Sequence, residues 1–170
     1  MKNIYLVGFM GTGKSASGRE LARKKKWNFV DLDELIELKE KKAITDIFAK
    51  KGEPYFRRIE GNALKEIAGK KGFVVACGGG IVINPENIKV MRSSGVIVCL
   101  KASPRAILKR VSGAACRPLL NVDNPERKIR ELLKLRSPYY AKADKTIDTS
   151  RLTVKQVADK ISGLFPVGLC

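Results

Sequence analysis

One octapeptide, Gly8-Phe9-Met10-Gly11-Thr12-Gly13-Lys14-Ser15, constrains this chain more than any other segment. It fits G-x-x-x-x-G-K-[ST] and stands between a β-rich run at 4–7 and a stretch at 14–26 that reads as a helix. That strand–loop–helix setting gives the pattern its meaning. Glycines let the backbone curl until several N–H groups point at one phosphate, and the helix N-terminus adds its partial positive charge. Lys14 would bridge the β- and γ-phosphates, and the Ser15 hydroxyl would bind Mg²⁺. Nucleotide contacts are expected along Gly11, Thr12, Gly13, Lys14, Ser15 and Ala16. A glycine turn that merely happens to precede Lys-Ser is the competing explanation, and the setting favours a nucleoside triphosphate site.

The rest of the chain continues the strand–helix rhythm. Strands are expected at 28–32, 72–77, 96–100 and 146–148, and helices at 33–42, 44–51, 53–70, 85–94, 104–111, 126–143 and 153–164. The runs GFVVAC at 72–77 and VIVCL at 96–100 are apolar throughout, as in strands buried on both faces. This alternation predicts an α/β fold in which helices flank a parallel sheet, with ligands at the carboxyl ends of the strands. With 170 residues and no repeats or low-complexity linkers, the chain suits a single domain spanning 1–170.

Composition removes several chemistries. The chain has no histidine, which excludes Ser-His-Asp and Cys-His catalysis, histidine-ligated zinc and a phosphohistidine. Any general base must be a carboxylate, Lys, Tyr, Cys or a bound ligand. The chain carries 34 Lys+Arg against 17 Asp+Glu, a net +17. That surplus predicts attraction to anions without choosing among nucleic acid, acidic membrane and phosphorylated small molecules. Residues 28–60 hold 7 basic against 8 acidic side chains, so the surplus lies outside that stretch. The N-terminal apolar run is too short for a signal peptide, and the longest, 72–83, is too short to span a membrane. Cys77, Cys99, Cys116 and Cys170 form no C-x-x-C pair. A soluble cytoplasmic protein with free thiols is expected.

Four further clusters are candidates for chemistry. Asp31-Leu32-Asp33 closes the second strand. In extended backbone residues two apart share a face, so one carboxylate could hold Mg²⁺ while the other takes a proton from an acceptor hydroxyl. An Asp capping the next helix explains the same residues equally well. Arg57 and Glu60 stand at i, i+3 in FRRIE. They are either a weak surface ion pair or a clamp in which Glu60 fixes Arg57 for a bidentate grip on a carboxylate. Gly78-Gly79-Gly80 follows a buried strand and would let a ligand lie on the backbone. Arg117-Pro118-Leu119-Leu120 sits in a long polar stretch, about 112–125, with the profile of a mobile lid. Arg136, in RSPYY, has no distinguishing feature alone.

Taken together, these motifs resemble shikimate kinase. The order and spacing match: phosphate loop 8–15, DxD 31–33, FRxxE 56–60, GGG 78–80, RPLL 117–120 and RxxYY 136–140. The resemblance implies a three-layer P-loop kinase fold with a five-stranded parallel sheet in order 2-3-1-4-5, an acceptor-binding region at about 31–62 and the lid. It implies MgATP as phosphoryl donor and the 3-hydroxyl of shikimate as acceptor, on the path to chorismate and aromatic amino acids. By the same resemblance, Asp33 is the candidate base, with Lys14 and Arg117 beside the transferring phosphate. Arg57, Arg136 and the backbone of Gly78, Gly79 and Gly80 hold shikimate, and Glu60 orients Arg57. Ser15 and Asp31 belong to the Mg²⁺ shell. Arg110 and Arg151 lie by the nucleotide; the stretch Arg151-Leu152-Thr153-Val154 lacks the proline that the family often carries there. A monomer acting on small molecules, without nucleic acid or membrane partners, is expected. The rivals are a kinase of another hydroxylated acid such as gluconate, and a basic nucleic-acid-binding module.

Overall fold

The computed structural model describes residues 2–112 and 124–165. Most of the expected lid, including Arg117 and the rest of RPLL, lies outside the described residues. Strand β1 (Asn3–Val7) leads through the glycine loop into helix α1 (Lys14–Lys25), followed by β2 (Asn28–Asp31), α2 (Leu32–Glu40) and α3 (Ile44–Ala68). Then come β3 (Phe73–Ala76), a 3₁₀ turn (Ile81–Ile83), α4 (Pro85–Ser94) and β4 (Gly95–Lys101). Helices α5 (Pro104–Val111) and α6 (Pro125–Tyr140), strand β5 (Lys145–Asp148) and helix α7 (Val154–Leu164) complete the described chain.

The five strands are parallel and ordered β2-β3-β1-β4-β5, as the motif resemblance implies. β1 is central and wholly buried. Its side chains alternate between two cores. Ile4 and Leu6 pack with Leu21 and Ala22 of α1 and Val157, Ala158 and Ile161 of α7. Tyr5 and Val7 pack with Phe56 and Leu64 of α3, Met91 of α4, Ile107 of α5 and Ile129 of α6. This is why the strand runs read as continuous apolar sequence: both faces of the sheet are covered.

Two boundaries differ from the sequence expectation for physical reasons. β2 ends at Asp31 rather than at residue 32, because the Asp31 side chain accepts from the Asp33 N–H and starts α2 at Leu32. The two helices expected at 44–51 and 53–70 form one element, α3, broken at Gly52 (φ 76°, ψ 171°) with Pro54 just beyond. That positive φ suits glycine, and Pro54 falls in the first turn of the second half, where its missing N–H costs nothing.

Buried Asn3 was not foreseen. Its Nδ2 donates to Lys70 O at 2.9 Å, and its Oδ1 accepts from Phe73 N at 3.0 Å, tying the α3–β3 connection to the start of β1. Replacing Asn3 by Ala would leave both backbone groups without their partner at a site closed to solvent. We expect Asn3→Ala to cost about 2–3 kcal/mol in urea unfolding and to lower Tm by about 5–10 °C. A cost near zero would show that the backbone finds other partners.

Candidate active site

The register of the central strands gathers the motifs. Leu6 pairs with Ala76, which pairs with Asp31. The segments that follow this row, carrying Gly8, Gly78 and Asp33, therefore leave the sheet side by side at its carboxyl edge. A cleft of about 630 Å³ opens there, lined by Lys14, Ser15, Asp31, Asp33, Arg57, Glu60, Arg136 and the three glycines, with Thr45 and Phe48 on the first half of α3.

The phosphate loop needs glycine where it turns: Gly8, Gly11 and Gly13 have φ of 137°, 72° and 93°. Thr12 is buried and its Oγ1 donates to Phe9 O at 2.7 Å, which closes the turn from inside. Lys14 Nζ donates to Gly8 O at 2.9 Å and Phe9 O at 3.0 Å, so the ammonium lies over the loop entrance. Ser15 Oγ donates to Asp31 Oδ2 at 2.6 Å. The other oxygen of Asp31 caps α2. The two readings of Asp31, helix cap and site residue, are therefore one arrangement using both carboxylate oxygens. The shared strand face expected for Asp31 and Asp33 does not exist, because Asp33 already lies in the first turn of α2. The capping turn, not the pleat, brings both to the cleft.

Arg57 and Glu60 are no surface pair. Glu60 is 1% exposed and its Oε2 accepts from Arg57 Nη1 at 2.8 Å. Burial raises the Glu60 pKa against the pull of Arg57, and its Oε1 has no hydrogen-bond partner. A pair of this kind is costly to break from one side, because the survivor stays buried and charged.

The glycine triplet also has a cause within the protein itself. None of the three has a positive φ. A Cβ on Gly78 would stand 2.7 Å from Glu60 Oε1 and 2.9 Å from Asp33 Oδ1; on Gly79, 3.3 Å from Arg136 Nη1; on Gly80, 2.5 Å from Arg57 Nη2. The triplet makes room for the protein's own charged side chains. Arg136, on α6, lies over the Phe9 ring with its guanidinium carbon 5.6 Å from the centroid.

The comparisons with known proteins agree. The family model described as shikimate kinase matches residues 10–164. The chain is 48% identical to shikimate kinase of Thermoanaerobacter pseudethanolicus over 161 residues, spanning 95% of this chain and 94% of that one. It is 50% identical to the enzyme of Thermodesulfovibrio yellowstonii, spanning 95% and 93%. The chain belongs to the shikimate kinase family. A solved shikimate kinase from Acinetobacter baumannii, in complex with shikimate, matches with a TM-score of 0.91 at 41% identity, covering 96% of this chain and 92% of that one.

Membership in the shikimate kinase family makes the chain an ATP-dependent kinase, a transferase. Three features of this member were missed by sequence reasoning. Tyr140 donates to Gly79 O at 2.8 Å; burial pushes its pKa up to about 12 despite Arg136 nearby. Buried Thr149 donates from Oγ1 to Thr12 O at 3.0 Å, bracing the phosphate loop from the residue just after β5. Glu53 accepts from Arg57 Nε at 3.1 Å and Nη2 at 2.9 Å. Glu53 left a trace in its i, i+4 spacing to Arg57, and Tyr140 stood in RxxYY without a role of its own. Arg110 reaches Gly11 O at 3.2 Å and Thr149 O at 2.6 Å, so it touches the loop's backbone without lining the cleft. Exposed Arg151, on the turn after β5, does not line the cleft either.

Asp33 is raised to about 6, first by burial and then by the charge of Asp31, with Lys14 opposing. Its ionisation therefore opposes folding. The stability associated with the protonated form is complete below the unfolded value near 3.8 and is lost as pH rises through about 6. We expect Asp33→Asn to stabilise the ligand-free protein by about 2–3 kcal/mol in urea unfolding at pH 8 and by far less at pH 4. Equal effects at both values would sink this account of the site's strain.

Proposed function

We propose that this protein transfers the γ-phosphoryl group of ATP to the 3-hydroxyl of shikimate, giving ADP and shikimate 3-phosphate, in the pathway to chorismate and aromatic amino acids. The observation that carries the proposal is the convergence, in one cleft, of the phosphate loop, the Asp33 carboxylate and the Arg57–Arg136 pair. The acceptor carries one carboxylate and three hydroxyls. Two guanidinium groups suit the carboxylate, and Asp33 suits the hydroxyls. The match to a shikimate kinase solved with shikimate supports the same reading.

Roles follow from residue chemistry. Gly11, Thr12, Gly13 and Ala16 present backbone to the phosphates, and Lys14 leaves the carbonyls of Gly8 and Phe9 to meet the transferring group. Ser15 and Asp31 are oxygen donors already in contact, a set that fits a small hard cation. Mg²⁺ held there supplies neutralisation of phosphate charge. Asp33, raised towards neutrality, accepts the proton as the hydroxyl attacks. Glu60 locks Arg57, while Arg57, Arg136 and the backbone of Gly78, Gly79 and Gly80 seat the acceptor. Arg110 and Arg151 border the nucleotide. Arg117 and the segment about 112–125 act as the lid that excludes water, which would otherwise compete for the phosphoryl group. The protein acts as a monomeric domain over 1–170 in the cytoplasm, where Cys77 and Cys99 remain free thiols.

A coupled ADP-release assay tests the reading: ADP should appear with shikimate and not with gluconate. We expect Asp33→Asn to abolish turnover while ATP still binds, and near-normal turnover would remove the proton-accepting role. Arg136→Ala should raise the KM for shikimate about 10–100-fold, as expected for loss of a charged hydrogen-bond donor. Unchanged affinity in a shikimate titration would take Arg136 out of the site.

A further inference from the structure

Arg57 is held from two sides. A guanidinium carries five N–H donors in one plane. Glu60 takes one from Nη1 at 2.8 Å. Glu53, one turn earlier on α3, takes the Nε–H at 3.1 Å and one Nη2 donor at 2.9 Å, both with Oε1. One N–H on Nη1 and one on Nη2 remain. Those two nitrogens lie against Gly80, where a Cβ would stand 2.7 and 2.5 Å from them. Gly80, Arg57 and Glu60 line the cleft and Glu53 does not, so Glu53 grips the guanidinium from outside.

We infer that Glu53 is a positioning residue for the acceptor: by taking the Nε edge of Arg57, it keeps one N–H on each Nη available to the acceptor's carboxylate. This rests on the proposed docking of the shikimate carboxylate on Arg57 and Arg136. A single hydrogen bond from Glu60 would fix one point of the guanidinium and leave its plane free to turn. A second contact on the opposite edge fixes the plane, and a bidentate grip on a carboxylate depends on that plane.

The local backbone supports this use. The break at Gly52 (φ 76°, ψ 171°) and Pro54 fix the start of the second half of α3 at Glu53, which sets the carboxylate a turn below Arg57. Burial disfavours the charge on Arg57, and Glu60 with Glu53 more than offset it, so the group stays above its ordinary arginine value. Glu53 is 61% exposed, so its pair with Arg57 adds little to stability and its effect falls on geometry.

The test is steady-state kinetics of Glu53→Ala and Glu53→Gln, alone and in an Arg57→Lys background, whose side chain has no Nε edge. Thermal melts should coincide with the parent, since Glu53 is exposed. We expect Glu53→Ala to raise the KM for shikimate about fivefold, with kcat and the KM for ATP within about twofold. Glu53→Gln, which keeps an acceptor oxygen, should restore at least half of the loss. In Arg57→Lys, the same Ala change should alter kcat/KM by less than about twofold. An unchanged KM in Glu53→Ala overturns the inference, as does an equal effect in the Arg57→Lys background. A fall in KM also overturns it, because Glu53 would then compete with the acceptor. Absence of shikimate-dependent ADP release from the parent protein would instead defeat the functional reading itself.

Discussion

The level register of three parallel strands underlies the whole site. Because Leu6, Ala76 and Asp31 stand abreast, the segments that follow them emerge together. These are the phosphate loop, the glycine triplet and the capped start of α2. Backbone hydrogen bonding fixes that register, and burial of both sheet faces enforces it: a slip by one residue would turn Ile4 and Leu6 away from α1 and α7. Side chains supplied by helices then need only point inward. Arg57 and Glu60 do so from α3 and Arg136 from α6, which explains how residues far apart in sequence meet over the carboxyl edge.

That assembly concentrates charge at a cost in stability. Asp31, Asp33 and Glu60 crowd one end of the cleft, answered by Lys14, Arg57 and Arg136. Burial and mutual repulsion raise Asp33 to about 6 and raise Glu60 as well. A carboxylate near that value both holds and accepts a proton near neutrality, which a chain without histidine cannot obtain from imidazole. The strain at Asp33 and the proton-accepting role proposed for it would thus have one cause. The cores on both faces of the sheet and the bracing of the loop by Thr12 and Thr149 hold the charged groups in place.

Most of the fold was legible because its signals are local. The loop glycines, the apolar strand runs and the prolines at the starts of α4 and α5 mark their elements directly, whereas Pro125, expected in the lid stretch, opens α6. The strand order was not read from any local signal and followed from the motif resemblance. Site residues were legible where type and spacing coincide, as in Gly8 to Ser15, whereas the spacing of Arg57 and Glu60 left a surface ion pair open and only the motif resemblance gave the pair a site role. Asn3, Tyr140 and Thr149 were not, because each acts through a long-range hydrogen bond to backbone, to Lys70, Gly79 and Thr12. Such partners leave no periodicity. Asp31 and Asp33 were chosen correctly as cleft residues through a strand face that the structure lacks. Glycines 78–80 pointed to a close approach by ligand, and the structure adds a second reason for them, the protein's own charged side chains packed against them.

The net +17 takes a different meaning once those side chains are located. The cleft groups nearly balance one another, so the surplus cannot reside there. It lies on exposed helix faces, where pairs such as Arg19 with Glu34 and Arg130 with Glu126 use only part of it. Charges of that kind are screened beyond about 8 Å at physiological salt. They therefore act on anions as these approach rather than after they bind. On the proposed docking, recognition would come instead from the few donors that are part-buried and oriented. Orientation, not the amount of positive charge, separates Arg57 and Arg136 from the many lysines around them.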